Sequence, residues 1–214
     1  MHRKLIILFA LFFSGLAMSS EEAFWQWFEA NTSKIESYKE GDDEAILDEI
    51  LTHLHAYNSS LYYEFSTNLE PNELVITAEG DPDQVDSVMN LVSAAPDVAG
   101  WAFIAFKPAH GFTFITTYEG VDYDPAKLWF LPLSSKNNPQ ALGLRVGIPN
   151  YDEGIHKHAK NAMYIVLDSG IGEKKVIENI DYLETVPLPK DPESEGYIEL
   201  ERLDEYIDYH RKNT

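Results

Sequence analysis

The chain has 214 residues, no cysteine, and 36 Asp and Glu against 16 Lys and Arg, a formal charge of −20. A field of that sign repels phosphate backbones and anionic lipid, which excludes nucleic acid and acidic membrane as partners on electrostatic grounds. The lack of cysteine excludes disulfides, thiol nucleophiles and a lipoprotein anchor.

The chain opens on Met1-His-Arg-Lys followed by an apolar run over residues 5–13 and the small residues 14–20. A basic start, a short apolar stretch and the A-x-S pattern at Ala17 and Ser19 are those of a secretory signal peptide, and the run is shorter than the ~20 residues a spanning helix needs. Residues 1–19 are therefore expected to be an export leader. Cleavage after Ser19 leaves 195 residues and a charge of −22. The destination is the periplasm or the exterior, with no stable membrane insertion after cleavage.

Phe24-Trp-Gln-Trp-Phe28, continued by Ile35 and Tyr38, predicts a first helix over residues 22–39. Asp42 and Asp43 can cap a second, in which Leu47, Ile50, Leu51 and Leu54 share one face. The period then shortens to about two, so residues 61–65 and 73–78 read as strands around the turn at 68–72. Asp81 and Pro82 announce a helix with Gln84 as partner in a capping box and Val85, Val88, Met89 and Val92 inward. Pro96 ends it. Residues 101–106 form a central strand.

Residues 112–118 and 128–133 read as an inserted hairpin, followed by a polar loop at 134–140 and a strand at 141–148. A third long helix starts at Asp152, with Ile155, Ala159, Ala162 and Val166 on one side, and ends near Gly170 and Gly172. Strand character over 176–186, a rigid segment at 187–192 and a helix at 200–209 complete the chain.

From 73 to 186 the order strand, helix, strand, hairpin, strand, helix, strand is that of an α+β, ferredoxin-like antiparallel sheet with helices on one face. The two N-terminal helices, residues 20–60, are expected on the opposite face or at a sheet edge, packed with residues 61–214 as one unit.

Phe24-Trp-Gln-Trp-Phe28, Leu74-Val-Ile-Thr-Ala-Glu-Gly80, Ala94-Ala-Pro96 with Trp101, Ala105-Phe-Lys-Pro108 and Leu167-Asp-Ser-Gly-Ile-Gly-Glu173 together resemble a family of uncharacterised exported or cytosolic bacterial proteins. Residues 155–186 more loosely resemble the ferredoxin-like domain of the acidic regulator of ribonuclease E. That second resemblance implies action by binding a protein, although an exported chain would not meet a cytoplasmic ribonuclease.

No set of residues amounts to a reaction mechanism, so no catalytic, cofactor-binding or metal-binding residue is assigned. His53 and His55 have a chelating spacing only on a strand; on a helix they point about 200° apart. His156 and His158 fail in the same way, yet with Lys157, Lys160, Lys174 and Lys175 they form a local positive excess that could hold a small anion. Asp152 with His156 lacks the second histidine of the metalloprotease helix. Glu79, with Asp81 or Asp83 and the loop residue His110, is the best acid–base grouping and defines an envelope-hydrolase alternative. Asp168 and Glu173 flank glycines that follow a helix and so do not make a phosphate loop.

Trp101 reads as core, and Trp129-Phe130 in the inserted hairpin as the aromatic pair most open to a ligand or partner. Asn31 and Asn58 lie in glycosylation sequons to which a bacterial resemblance gives little weight. The leading expectation is a monomeric, non-enzymatic binding module for a basic protein.

Overall fold

In a computed structural model, residues 19–39 and 44–213 are described. The expected leader, residues 1–18 of it, and the proposed caps Asp42 and Asp43 lie outside those residues. The protein is mixed α+β, with six α-helices and three sheets among the described residues. No described helix is long and apolar enough to cross a membrane.

Helix α1 (Ser20–Glu36) begins at a capping box, in which the Ser19 hydroxyl accepts from the Glu22 N–H while the Glu22 carboxylate accepts from the Ser19 N–H. Helix α2 (Ala45–Tyr57) follows, burying Ile46, Ile50 and Leu54. Strands β1 (Tyr62–Ser66) and β2 (Asn72–Thr77) pair antiparallel, helix α3 (Val85–Ser93) crosses over, and β3 (Trp101–Ala105) pairs parallel with β2.

The strand period of two puts Leu74, Ile76, Phe103 and Ala105 on one face. These side chains pack with α1, α2 and α3 in one core. Trp25 and Phe28 lie against the Phe103 ring, and the Trp25 indole donates to the Leu91 carbonyl at 2.7 Å. The N-terminal helices thus share the face that α3 covers instead of taking the opposite one. An indole can bury fully only where its N–H finds an acceptor, and the Leu91 carbonyl in the last turn of α3 supplies one.

A small hairpin, β4 (Thr116–Tyr118) and β5 (Val121–Tyr123), precedes the second large sheet, whose strand order is β8-β7-β6-β9. Strand β6 (Trp129–Ser134) pairs antiparallel with β7 (Leu142–Ile148). Helices α4 (Glu153–Ile171) and α5 (Glu173–Asn179) then lead to β8 (Tyr182–Pro187), parallel to β7. The two-residue β9 (Ile198–Glu199) closes the other edge, and α6 (Leu203–Asn213) ends the chain. A second core joins Phe130, Leu144, Val146 and Leu183 to α4 and α6.

Four expectations are corrected. Strand β3, read as central, is an edge strand. The strands do not form one ferredoxin-like sheet: β2 is flanked by β1 and β3, and β7 by β6 and β8, so each middle strand is saturated within its own half. The inserted hairpin is β4–β5 alone, because residues 129–134 pair with β7. Residues 176–179 are helical, and the strand starts only at Tyr182. Both halves repeat one scheme, an antiparallel pair, a helical crossover and a third strand parallel to the second.

Candidate functional site

Strands β2 and β3 run parallel, so both chains leave the sheet at the same end, where irregular backbone exposes polar groups. Glu79, Gly80 and Phe106 there have φ of 48°, 83° and 67°. This left-handed backbone costs little at glycine and more at the other two, and it persists only where surrounding contacts fix it. Here the contact is Glu173. Its carboxylate is fully buried and accepts from the N–H groups of Ala78 (2.9 Å), Gly80 (3.3 Å) and Lys107 (3.0 Å). Its own N–H donates to the Lys107 carbonyl at 3.0 Å.

The segment after β3 runs beside the end of α4, with the His110 N–H donating to Ser169 and the Gly111 N–H to Gly170. Gly170 admits this approach: a Cβ there would lie 2.0 Å from the Phe112 ring. Gly172, at φ +88°, turns the chain from α4 into α5. Gly170 is therefore inside the helix and serves packing, while Gly172 alone is the stop.

Asp168 lies in the same junction, only 8 % exposed, and its Oδ1 has no hydrogen-bond partner. Burial, and then the neighbouring Glu173 carboxylate, push its pKa up to about 7, with Lys107 opposing. The Lys107 ammonium lies 2.8 Å from Glu79 and 3.7 Å from Glu64. Burial alone would lower its pKa; the bond from Glu79 and the charges of Glu79, Glu64 and Glu173 outweigh that and hold it above the usual lysine value. The arrangement can lock two halves of a chain together. Glu173 reaches no solvent, and neither it nor Asp168 lines the open cavities on the two sides of residues 106–113.

Glu79 is thus engaged with Lys107, and Asp81 accepts from the Asp83 N–H at 2.9 Å as a cap. No hydrogen bond or ion pair joins His110 to either among the described residues. Gln84 does not complete a capping box; its side-chain oxygen accepts from Asn58 at 2.7 Å. The paired histidines take separate roles. His53 stacks on Trp27, and His55 Nε2 lies 3.1 Å from the Leu61 carbonyl. His156 meets the Tyr151 hydroxyl at 2.8 Å, and His158 lies edge-on to Tyr118. Asp152 caps α4 by accepting from the Ile155 N–H.

The positive group does not gather into one anion site. Lys157 and Lys160 are exposed on α4, while Lys175 of α5 is answered by Asp204 and Asp208 at 2.5 and 3.3 Å. Among the described residues no group of three histidine or acidic side chains is placed to hold a metal.

Trp25, Trp27 and Trp101 belong to the first core; Trp129 is half-buried on the outer face of the second sheet, while Phe130, expected open beside it, points to the other face and is fully buried in the second core. The Asn31 and Asn58 side chains are both engaged within the fold, with the Trp27 carbonyl and with Gln84 and Ser87. The role of Glu173 escaped sequence reading because its partners are backbone N–H groups about 70–95 residues distant. The one local signal is an acid set between Ile171 and Val176, where a solvated charge is out of place.

No protein-family model, curated protein or solved structure matches the chain.

Proposed function

We propose that the protein is an exported, non-enzymatic module that binds a basic protein partner. The observation that carries this reading is the uneven spread of its charge. Residues 19–113 contain 18 Asp and Glu against three Lys, while residues 114–213 contain 18 against 11 basic residues. Charge kept only for solubility has no reason to concentrate in one half. Lys34 and Lys107 are moreover held in ion pairs with Glu49, Glu79 and Glu64. A one-signed surface of this kind steers an oppositely charged partner and raises its association rate.

The fully buried Glu173 carboxylate is committed to three backbone N–H groups, which favours binding over hydrolysis. The apolar leader of residues 5–13 supports export. The test is capture of interacting proteins from the native envelope at low and high salt against an acidic control protein of matched charge, with a hydrolase substrate panel run alongside. One basic protein, enriched at low salt and released at high salt, is the expected result. Turnover of any substrate in the panel, or no salt-sensitive enrichment over the control, overturns the reading.

A further inference from the structure

We propose that the outer face of the first sheet is where a basic, extended segment of that partner docks. This rests on the function proposed above and narrows it to one surface. Pairing register places Tyr62, Glu64 and Ser66 of β1, Glu73, Val75 and Thr77 of β2, and Ala102 and Ile104 of β3 on the face opposite α1–α3. Tyr62, Ala102 and Ile104 belong to neither hydrophobic core and keep part of their surface open, while Val75 and Thr77 at the middle of the face are buried, so the accessible part is its β1 and β3 margins. Tyr62 is 44 % exposed, and Glu64 is exposed beside it.

The face mixes an apolar band with two carboxylates on adjacent strands. Glu64 stands opposite Val75, and Glu73 lies two residues further along β2, a diagonal of about 7 Å that alternate side chains of one extended segment can span. The chain itself shows which group the margin of this face accepts: the Lys107 ammonium reaches back over it to Glu64 at 3.7 Å, a loose contact that a second cation can share. Glu73 pairs with no cation among the described residues. Residues 19–113 hold only three Lys, and the basic side chains of the second half, Lys174, Lys175 and Arg211, line the open cavity at the Ile104 edge, which leaves the β1 side with Glu64 and Glu73 for the cationic segment. Three strands of about five residues present on the order of 200 Å², which fits a short segment with Lys or Arg at alternate positions better than a whole domain.

The experiment titrates the isotope-labelled chain with a synthetic octapeptide of alternating Lys and Val at physiological salt, with an alternating Glu and Val peptide as control, and follows backbone amide shifts. Perturbations centred on residues 62–66, 73–77 and 102–104 are expected. Affinity should fall at least tenfold in Glu64→Lys/Glu73→Lys and stay within twofold in Glu201→Lys/Glu205→Lys, both of whose sites are exposed. If the first variant does not fold, Glu64→Gln/Glu73→Gln replaces it, with a loss of threefold or more. Binding that survives these changes, or shifts centred on residues 199–208, overturns the location while leaving a basic-partner module standing. A wild-type chain that ignores the Lys–Val peptide overturns the docking face alone; the binding function itself falls only with the envelope capture.

Discussion

Glu173 and Asp168 sit five residues apart and illustrate opposite solutions to burying a carboxylate. Glu173 is compensated by three backbone donors, so its charge is solvated by the fold. Its removal strands those N–H groups in a buried site. Glu173→Ala is expected to lose about 3–5 kcal/mol in chemical denaturation, by the cost of breaking a buried charged network from one side. A loss under about 1 kcal/mol would mean that water replaces the carboxylate freely. Asp168 is not compensated in this way, and its proton is held more tightly in the folded chain than in the unfolded one, at about 7 against 3.8.

Stability from Asp168 is therefore complete below about pH 4 and is lost as pH rises through about 7, a swing of order 2–4 kcal/mol. Asp168→Asn removes the titration. The variant should gain stability relative to the parent as pH goes from 5 to 8, by several degrees in Tm. A constant difference between the two across that range would show that Asp168 is ionised throughout or titrates alike in both states.

At the scale of elements, capping decides how well α1 is anchored. Ser19 and Glu22 satisfy each other's backbone N–H groups, and a side-chain cap contributes about 1 kcal/mol. A chain beginning at Met18 keeps the box, and one beginning at Ser20 loses it. The longer form is expected to melt about 2–4 °C higher by calorimetry, the shift that such an energy produces in a domain of this size; equal melting would show that Ser20 or Glu21 substitutes as the cap.

The helices α1, α2, α3 and α4 were legible from residue spacing, and so were the caps at Asp81 and Asp152, because each depends on neighbours within a turn or two, although in α3 Met89, read inward, is exposed and Leu91 is buried instead. Residues 174–179 were not. Val176, Ile177 and Ile180 are β-branched, as strand residues are, but Val176 packs into the second core and Ile177 against the first. They do so from helix α5 at the seam between the halves, where neighbours about 100° apart meet one core each. Gly170 misled in the same way, since its local reading is a helix stop and its actual constraint is the Phe112 ring 58 residues upstream.

For the molecule as a whole, the two halves share one strand and helix scheme but differ in charge, and the seam between them is the Glu173 junction. Which strands share a sheet was not legible, because β1 and β6 read equally well as additions to a central sheet and as the partners that saturate β2 and β7. The acid–base grouping of Glu79 and His110 was equally ambiguous in the sequence, and the ion pair to Lys107 claims one of its members.

The most direct measurement is zero-length carbodiimide coupling in the native envelope, which joins carboxylates of this chain to amines of whatever touches them, with the linked residues read by mass spectrometry. Links to a basic protein that fall on carboxylates of residues 19–113, led by Glu64 and Glu73, are the expected result. Links absent altogether, or scattered evenly over both halves, would contradict a binding role for the acidic half.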